Sequence, residues 1–351
     1  MQYTRLGSTG LVVSRLAFGS MTFGTGSGVF ASVYKVDQPS ANELVARAMD
    51  AGVNFFNTAD VYAAGDSERM LGRALGARRK DVVIATKVGN RMAPALIETG
   101  LSRRHLFAAA EASLERLGTD YLDVYLAHKV DTLTPIEETI EALEDLVRQG
   151  KVRYVGFSNW PAWLAAKAVG LQRASGWSQF RAAEMYYSLV GRDLEHDLVP
   201  FCLDAGIGVM VWSPLAGGFL SGKYTREKPK GESGDRLGGF EFLPYDRERG
   251  HQVVDCLRSI GEKHRTSPAQ IALAWLLTRP AVSSVLVGAS NAKQLDDNLG
   301  ASAVRLDEDD LATLHAASRP TVPYPQWFTE RVADGKVHEA LGLTLSTPPL
   351  R

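Results

Sequence analysis

Cysteine is scarce in this 351-residue chain, which has only Cys202 and Cys256. Both sit in stretches of apparent helical period, with no CxxC and no Cys/His ligand spacing around them. That excludes a disulfide framework and a structural zinc, and it suits a reducing compartment. Long apolar runs are missing as well. No run reaches the roughly 18 apolar residues of a membrane span, and the opening Met1-Gln2-Tyr3-Thr4-Arg5 lacks the apolar centre of a signal peptide. The sequence therefore predicts neither secretion nor membrane spanning, and a cytoplasmic location. An excess of charge is also absent. A formal net charge of -1 provides no field to attract nucleic acid or an anionic membrane, so any anion site must be local. Nor is there an HExxH, a P-loop or a GxSxG elbow, so metal and Ser-nucleophile chemistry find no support.

What the chain does contain is 45% hydrophobic and 23% charged residues, enough for a sizeable core and without the signature of disorder. Short β-rich runs alternate with longer runs of helical period. Strand candidates are Arg15 to Phe18, Val53 to Phe56, Val82 to Thr86, Leu122 to Ala127, Val152 to Phe157, Ala182 to Met185, Gly208 to Trp212 and Ser283 to Val287. Amphipathic segments such as Ala41 to Asp50, Arg103 to Leu117, Pro135 to Gln149, Pro161 to Ala174 and Asp193 to Asp204 fall between them, several with Pro or Asp near the start. The alternation implies βαβ units and a parallel sheet.

Several strands end in a short polar cluster, which suits the single mouth of a closed (β/α)8 TIM barrel. A doubly wound open sheet is the runner-up. Against it, no helix opens directly from Phe23-Gly24-Thr25-Gly26-Ser27-Gly28, and no well-placed acid follows a second strand, so these glycines read as a loop after strand one. The stretch Tyr3 to Val13 reads as a β-hairpin capping the barrel bottom. Gly89 to Gly100 and Thr225 to Gly250 read as long loops at the C-terminal face. The reading is one barrel domain over residues 1–318, with an irregular aromatic tail over 319–351 packing on the barrel or on a partner.

Ordered blocks along nearly the whole chain carry a resemblance. They are Arg5-Leu6-Gly7, Phe55-Phe56-Asn57-Thr58-Ala59-Asp60-Val61-Tyr62, Ala85-Thr86-Lys87, Tyr121 to His128, Val155-Gly156-Phe157-Ser158-Asn159, Trp212-Ser213-Pro214-Leu215 and Val287-Gly288-Ala289-Ser290-Asn291. With them the chain resembles the aldo-keto reductases, and especially the branch with the β subunits of voltage-gated potassium channels and related bacterial NADPH-dependent reductases. The resemblance implies an oxidoreductase that moves hydride between a nicotinamide cofactor, NADPH with NADH also admissible, and an aldehyde, ketone or sugar-like alcohol. Its tetrad of Asp, Tyr, Lys and His corresponds here to Asn57, Tyr62, Lys87 and His128.

The chemistry of three of these is independent of kinship. Hydride delivered to a carbonyl carbon leaves an alkoxide that needs a proton, and a phenol near pKa 10 must be tuned to supply it. A neighbouring ammonium lowers that pKa, and His128 can hydrogen-bond the substrate oxygen. Taken singly, these would read as a half-buried Tyr, a solvated Lys and a core His. Asn57 departs from the pattern: it accepts a hydrogen bond but brings no charge, so the field of Lys87 should reach Tyr62 less neutralised. Asp60 is not promoted to the tetrad.

For the cofactor, the resemblance implies that Ser158, Asn159 and Glu184 hold the carboxamide. Glu184 is a second departure, since the family usually has Gln there. Trp212 is the ring under the nicotinamide, with Ser213, Pro214, Leu215 and Gly217 following it. Lys223 is the pyrophosphate lysine, and Gly288, Ser290, Gln294, Asp297 and Asn298 form the adenosine-phosphate clamp at a helix start. A second reading, a cofactor-binding regulatory subunit that senses redox state, is kept alive by Asn57 and Glu184. The substrate is not legible, and homo-oligomer assembly is left open.

Overall fold

The computed structural model describes residues 1–342 apart from 27, 233–234 and 333. Two short strands open the chain, β1 (Tyr3–Arg5) and β2 (Val12–Ser14), paired antiparallel. Eight parallel strands then close into a barrel: β3 (Leu16–Gly19), β4 (Phe55–Asn57), β5 (Val83–Val88), β6 (Leu122–Ala127), β7 (Val152–Ser158), β8 (Ala182–Tyr186), β9 (Gly208–Trp212) and β10 (Val282–Val287), with β10 hydrogen-bonded to both β9 and β3. The closed order leaves the barrel sheet without an edge strand.

The helices between them are α1 (Gln38–Asp50), α2 (Asp66–Leu75), α3 (Arg103–Leu117), α4 (Ile136–Arg148), α5 (Ala162–Ala174), α6 (Leu198–Ala205), the single turn α7 (Arg236–Gly239), α8 (Arg247–His264) and α9 (Pro268–Leu277). After β10 come α10 (Ala292–Gly300) and α11 (Glu308–Ser318). Local chemistry sets their starts. Asp37 caps α1 by accepting from Ser40 N, Ser102 caps α3, and Ser267 caps α9 with Pro268 in its first turn. The run expected over Asp193 to Asp204 is divided: a single 3-10 turn over Asp193–Glu195 precedes α6.

Alternation along the strands divides the core in two. Ala17, Phe55, Val83, Ala85, Val124, Leu126, Ala182, Met210 and Leu286 form the barrel interior. Their neighbours, among them Phe18, Phe56, Ile84 and Tyr125, pack outward against the helices. Leu6 and Val13, fully buried or nearly so, join the interior cluster from below, so the β1–β2 hairpin plugs the barrel bottom. The plug sits tight: Gly7 has φ +55, and a Cβ there would lie 2.5 Å from the Gly206 carbonyl oxygen.

Beyond α11 the stretch read as irregular forms two short helices, α12 (Gln326–Arg331) and α13 (Gly335–Ala340). Gln326 donates to the His196 carbonyl, and Arg249 binds the Arg319 carbonyl. Residues 343–351 of that tail lie outside the described residues. Among the described residues, no helix is long and apolar enough to cross a membrane.

Candidate active site

The C-terminal strand ends bring the predicted residues together. Parallel register sets Asn57 opposite Ala85, Lys87 opposite Leu126, Ser158 opposite Glu184 and Tyr186 opposite Trp212. After β4 the backbone leans across β5, with Thr58 N donating to Ala85 O (2.9 Å) and Asp60 N to Lys87 O (3.2 Å). The chain then turns at Tyr62–Gly65, where Ala63 and Ala64 both adopt positive φ (47° and 52°). Left-handed backbone at non-glycine residues costs of order 1 kcal/mol each, so this turn is held by its surroundings rather than by local preference. It fixes where the Tyr62 phenol emerges.

Lys87 lies at the centre. It is 1% exposed, and its ammonium donates to Asn57 Oδ1 (2.7 Å) and to the Thr58 carbonyl (2.8 Å) while pairing with Glu184 Oε1 at 3.0 Å. The other face of the Asn57 amide donates from Nδ2 to Glu184 Oε2 at 2.6 Å. Asn57 and Glu184 are each 2% exposed, so amide, ammonium and carboxylate form one closed, desolvated network. The expectation that the charge of Lys87 goes less neutralised is overturned here: the carboxylate missing at position 57 is supplied from β8. Burial alone would lower the pKa of Lys87, but Glu184 and Tyr62 outweigh it and hold it above its usual value, as an ammonium.

The Tyr62 ring centroid lies 5.0 Å from Lys87 Nζ and 6.0 Å from the His128 ring, which meets it edge-on at 83°. Burial raises the phenol pKa, and the Lys87 ammonium opposes that rise. His128 behaves oppositely. Desolvation, reinforced by Lys87 and Lys129, pushes its pKa down to about 3, so the imidazole is neutral at any working pH. Its Nδ1 faces Asn90 Nδ2 at 2.9 Å. With the Asn90 amide donating, Nδ1 accepts and the ring proton resides on Nε2, a donor suited to a carbonyl oxygen.

Around this floor lie the residues expected at a cofactor. Ser158 donates to the Glu184 carbonyl at 2.7 Å. Asn159, with φ 58, donates to the His128 carbonyl (3.0 Å) and accepts from Trp212 Nε1 (3.0 Å), fixing the indole, whose centroid lies 5.2 Å from that of Tyr186. Ser213 (φ 51) begins the turn Ser213-Pro214-Leu215, and its Oγ accepts from Gly217 N (3.1 Å). Lys223 pairs with Asp235 at 2.7 Å, with both side chains partly exposed. Across the mouth Gly288 follows β10, and Asn291 caps α10 by accepting from Gln294 N. The Gln294 side chain accepts from both N and Oγ of Ser290. Asp297 instead accepts from Ser267 and Gln270 of the α9 start, and Asn298 donates to the Gly288 carbonyl. A clamped indole, a Gly-rich turn and a capped helix N-terminus are the parts a nicotinamide dinucleotide requires.

Two residues, Asn90 and Arg236, carried no assignment from the sequence, and a third, Asp60, was set aside there. Asn90 sits two positions beyond β5 and orients His128. Arg236 on α7 stacks over Phe240 and lies within electrostatic reach of Tyr62; burial lowers its pKa. Asp60 is fully buried with neither carboxylate oxygen partnered among the described residues, and burial, then Glu68, raises its pKa to about 7. Only the position of Asn90 next to Gly89 at a strand end offered a signal.

A barrel with this constellation defines an oxidoreductase class, and comparison with known proteins agrees. The model of the aldo/keto reductase family matches residues 15–319, so the chain belongs to that family, whose members are generally NAD(P)H-dependent oxidoreductases. It is 32% identical over 345 residues to versiconal hemiacetal acetate reductase of Aspergillus parasiticus, covering 93% of this chain and 99% of that one. It is 35% identical over 331 residues to an uncharacterized oxidoreductase of Bacillus subtilis, covering 90% and 95%. A probable voltage-gated potassium channel subunit beta of Arabidopsis thaliana is 36% identical over 311 residues, covering 86% and 91%.

Proposed function

We propose that this chain is an NADP(H)-dependent reductase of small aldehydes, ketones or sugar-like carbonyls, working in either direction, with Tyr62 as general acid and base. The observation that carries this reading is the Lys87 ammonium, buried at 1% exposure and 5.0 Å from the Tyr62 ring. When bound, the reduced nicotinamide supplies the hydride. The chain's own residues do the rest. The Tyr62 hydroxyl gives its proton to the carbonyl oxygen, Lys87 stabilises the phenolate left behind, and Nε2–H of neutral His128 orients that oxygen and shares its developing charge. Trp212 offers a face for the nicotinamide, Ser158 and Asn159 its carboxamide contacts, Ser213 to Gly217 and Lys223 the diphosphate, and Ser290, Gln294 and Asn298 the adenosine end, while Asp297, held by Ser267 and Gln270, ties that end to the start of α9. We also take residues 1–318 as one barrel domain and the two-cysteine composition as support for a cytoplasmic home.

The test is absorbance at the reduced-nicotinamide band, with NADPH and then NADH, across a panel of aldehydes, ketones and sugar alcohols. Wild type is compared with Tyr62→Phe. Turnover that disappears in the variant supports the reductase. The likeness to a channel β subunit favours a second reading, and tight cofactor binding without turnover in either protein would move the assignment to a redox-sensing subunit.

A further inference from the structure

Two sequence departures from the family pattern, at positions 57 and 184, fall on side chains that touch. Asn57 lies on β4 and Glu184 on β8, 127 residues apart, yet Asn57 Nδ2 meets Glu184 Oε2 at 2.6 Å and both reach the same ammonium. We propose that Glu184 is the positioning counter-ion of Lys87 and that Asn57 is the neutral bridge that makes a carboxylate at 184 tolerable, so the two form a single charge relay moved across the barrel. For its consequence at Tyr62 this inference rests on the proposed oxidoreductase reading.

Each alternative at either position fails for a physical reason. Rotating the Asn57 amide by half a turn would aim its NH2 at the ammonium and its carbonyl oxygen at the carboxylate, two repulsive contacts in place of two attractive ones. An Asp at 57 would set a second carboxylate at hydrogen-bonding distance from Glu184, where like charges disfavour joint ionisation. A Gln at 184 beside Asn57 would leave Lys87 with neutral oxygen acceptors and no counter-charge, a costly state for a buried ammonium. Only one carboxylate belongs in the pair, and either site can hold it. The other titratable groups facing Lys87 do not replace it: Tyr62 stands before it, neutral His128 beyond Tyr62, and Asp60, two residues past Thr58, is unpartnered among the described residues.

The experiment is a charge-swap cycle of Asn57→Asp, Glu184→Gln and the double variant, made in the full-length protein. Three measurements follow. Thermal melting reads the pair without reference to catalysis. Each single variant should melt roughly 4–7 °C below wild type, and the double should regain most of the loss. Difference absorbance of the tyrosinate, with Tyr62→Phe subtracted, reads the reach to Tyr62: its titration should move downward in Glu184→Gln, where the carboxylate that opposes ionisation of the phenol is gone, and return in the double. Turnover should fall about 100-fold or more in Glu184→Gln and return in the double to within about tenfold of wild type. Additive losses in the double variant, or a Glu184→Gln protein with unchanged melting and tyrosinate titration, would overturn the proposal. Rescue of melting and titration with no turnover in any variant, wild type included, would leave the relay standing and refute the oxidoreductase reading instead.

Discussion

Two Lys–carboxylate pairs in this molecule look alike and behave differently. Lys223 and Asp235, in the loop over the mouth, approach to 2.7 Å with side chains 41% and 25% exposed. Lys87 and Glu184, on the barrel floor, stand at 3.0 Å with side chains 1% and 2% exposed. The shorter pair is the weaker one. Water screens the loop pair, whereas on the floor an unmatched charge has no solvent to turn to. The comparison teaches that in this barrel burial, more than distance, decides which charges are coupled to chemistry. The loop can therefore exchange partners as a cofactor arrives while the floor stays fixed.

The sharpest way to break the contrast is on the floor itself. Tyr62→Phe keeps the ring and removes the proton, and turnover should drop about 1,000-fold or more while melting and cofactor binding change little. Residual activity within tenfold of wild type would assign the proton to another group.

Asp60 tests the same dry environment through stability. Its pKa is about 7 in the folded protein against an ordinary carboxyl near 4 when unfolded, so between those values the folded state holds the extra proton. Stability must then fall as pH rises through that window and level off above it, a loss on the order of 2–4 kcal/mol. Asp60→Asn should flatten that slope. Melting temperatures that do not fall for wild type between pH 5 and pH 8, taken as roughly the span of the window, would place Asp60 in a wetter site.

A smaller effect is expected at Asn90. Asn90→Leu removes the donor to Nδ1 of His128, releases the tautomer and should lower kcat about 10- to 100-fold with the cofactor Kd unchanged. Because His128 is neutral down to about pH 3, the pH–rate profile of either protein should show no limb near the usual imidazole value. A limb there that vanishes in a His128 variant would contradict its burial.

The smallest effect belongs to the loop. Lys223→Ala should weaken NADPH binding about tenfold at low salt, less as salt rises, and shift stability by under about 1 kcal/mol. A large melting change there would mean the loop pair is as dry as the floor.

Much of this was legible in residues alone. Leu122-Asp123-Val124-Tyr125-Leu126-Ala127 is a strand whether or not its neighbours are known, and the polar residues after such runs belong on one face of a parallel barrel. Lys87 and His128 follow such runs and so belong on that face, while Tyr62 was assigned through the resemblance to the aldo-keto reductases. Strand ends were less legible: β4 begins at Phe55 rather than Val53, and β5 continues to Val88, because hydrogen bonds to neighbouring strands set those limits.

By itself, then, the sequence determined the barrel, its capping hairpin and the strand-end positions that carry the reactive side chains, since these follow from period, turn chemistry and chain order. Tertiary structure alone decided that Asn57 and Glu184 answer one another across Lys87, that Asn90 selects the tautomer of His128, and that Asp60 is sealed from water. Such contacts arise when non-adjacent strands close a ring, and no local pattern records which distant residue will stand 3 Å away.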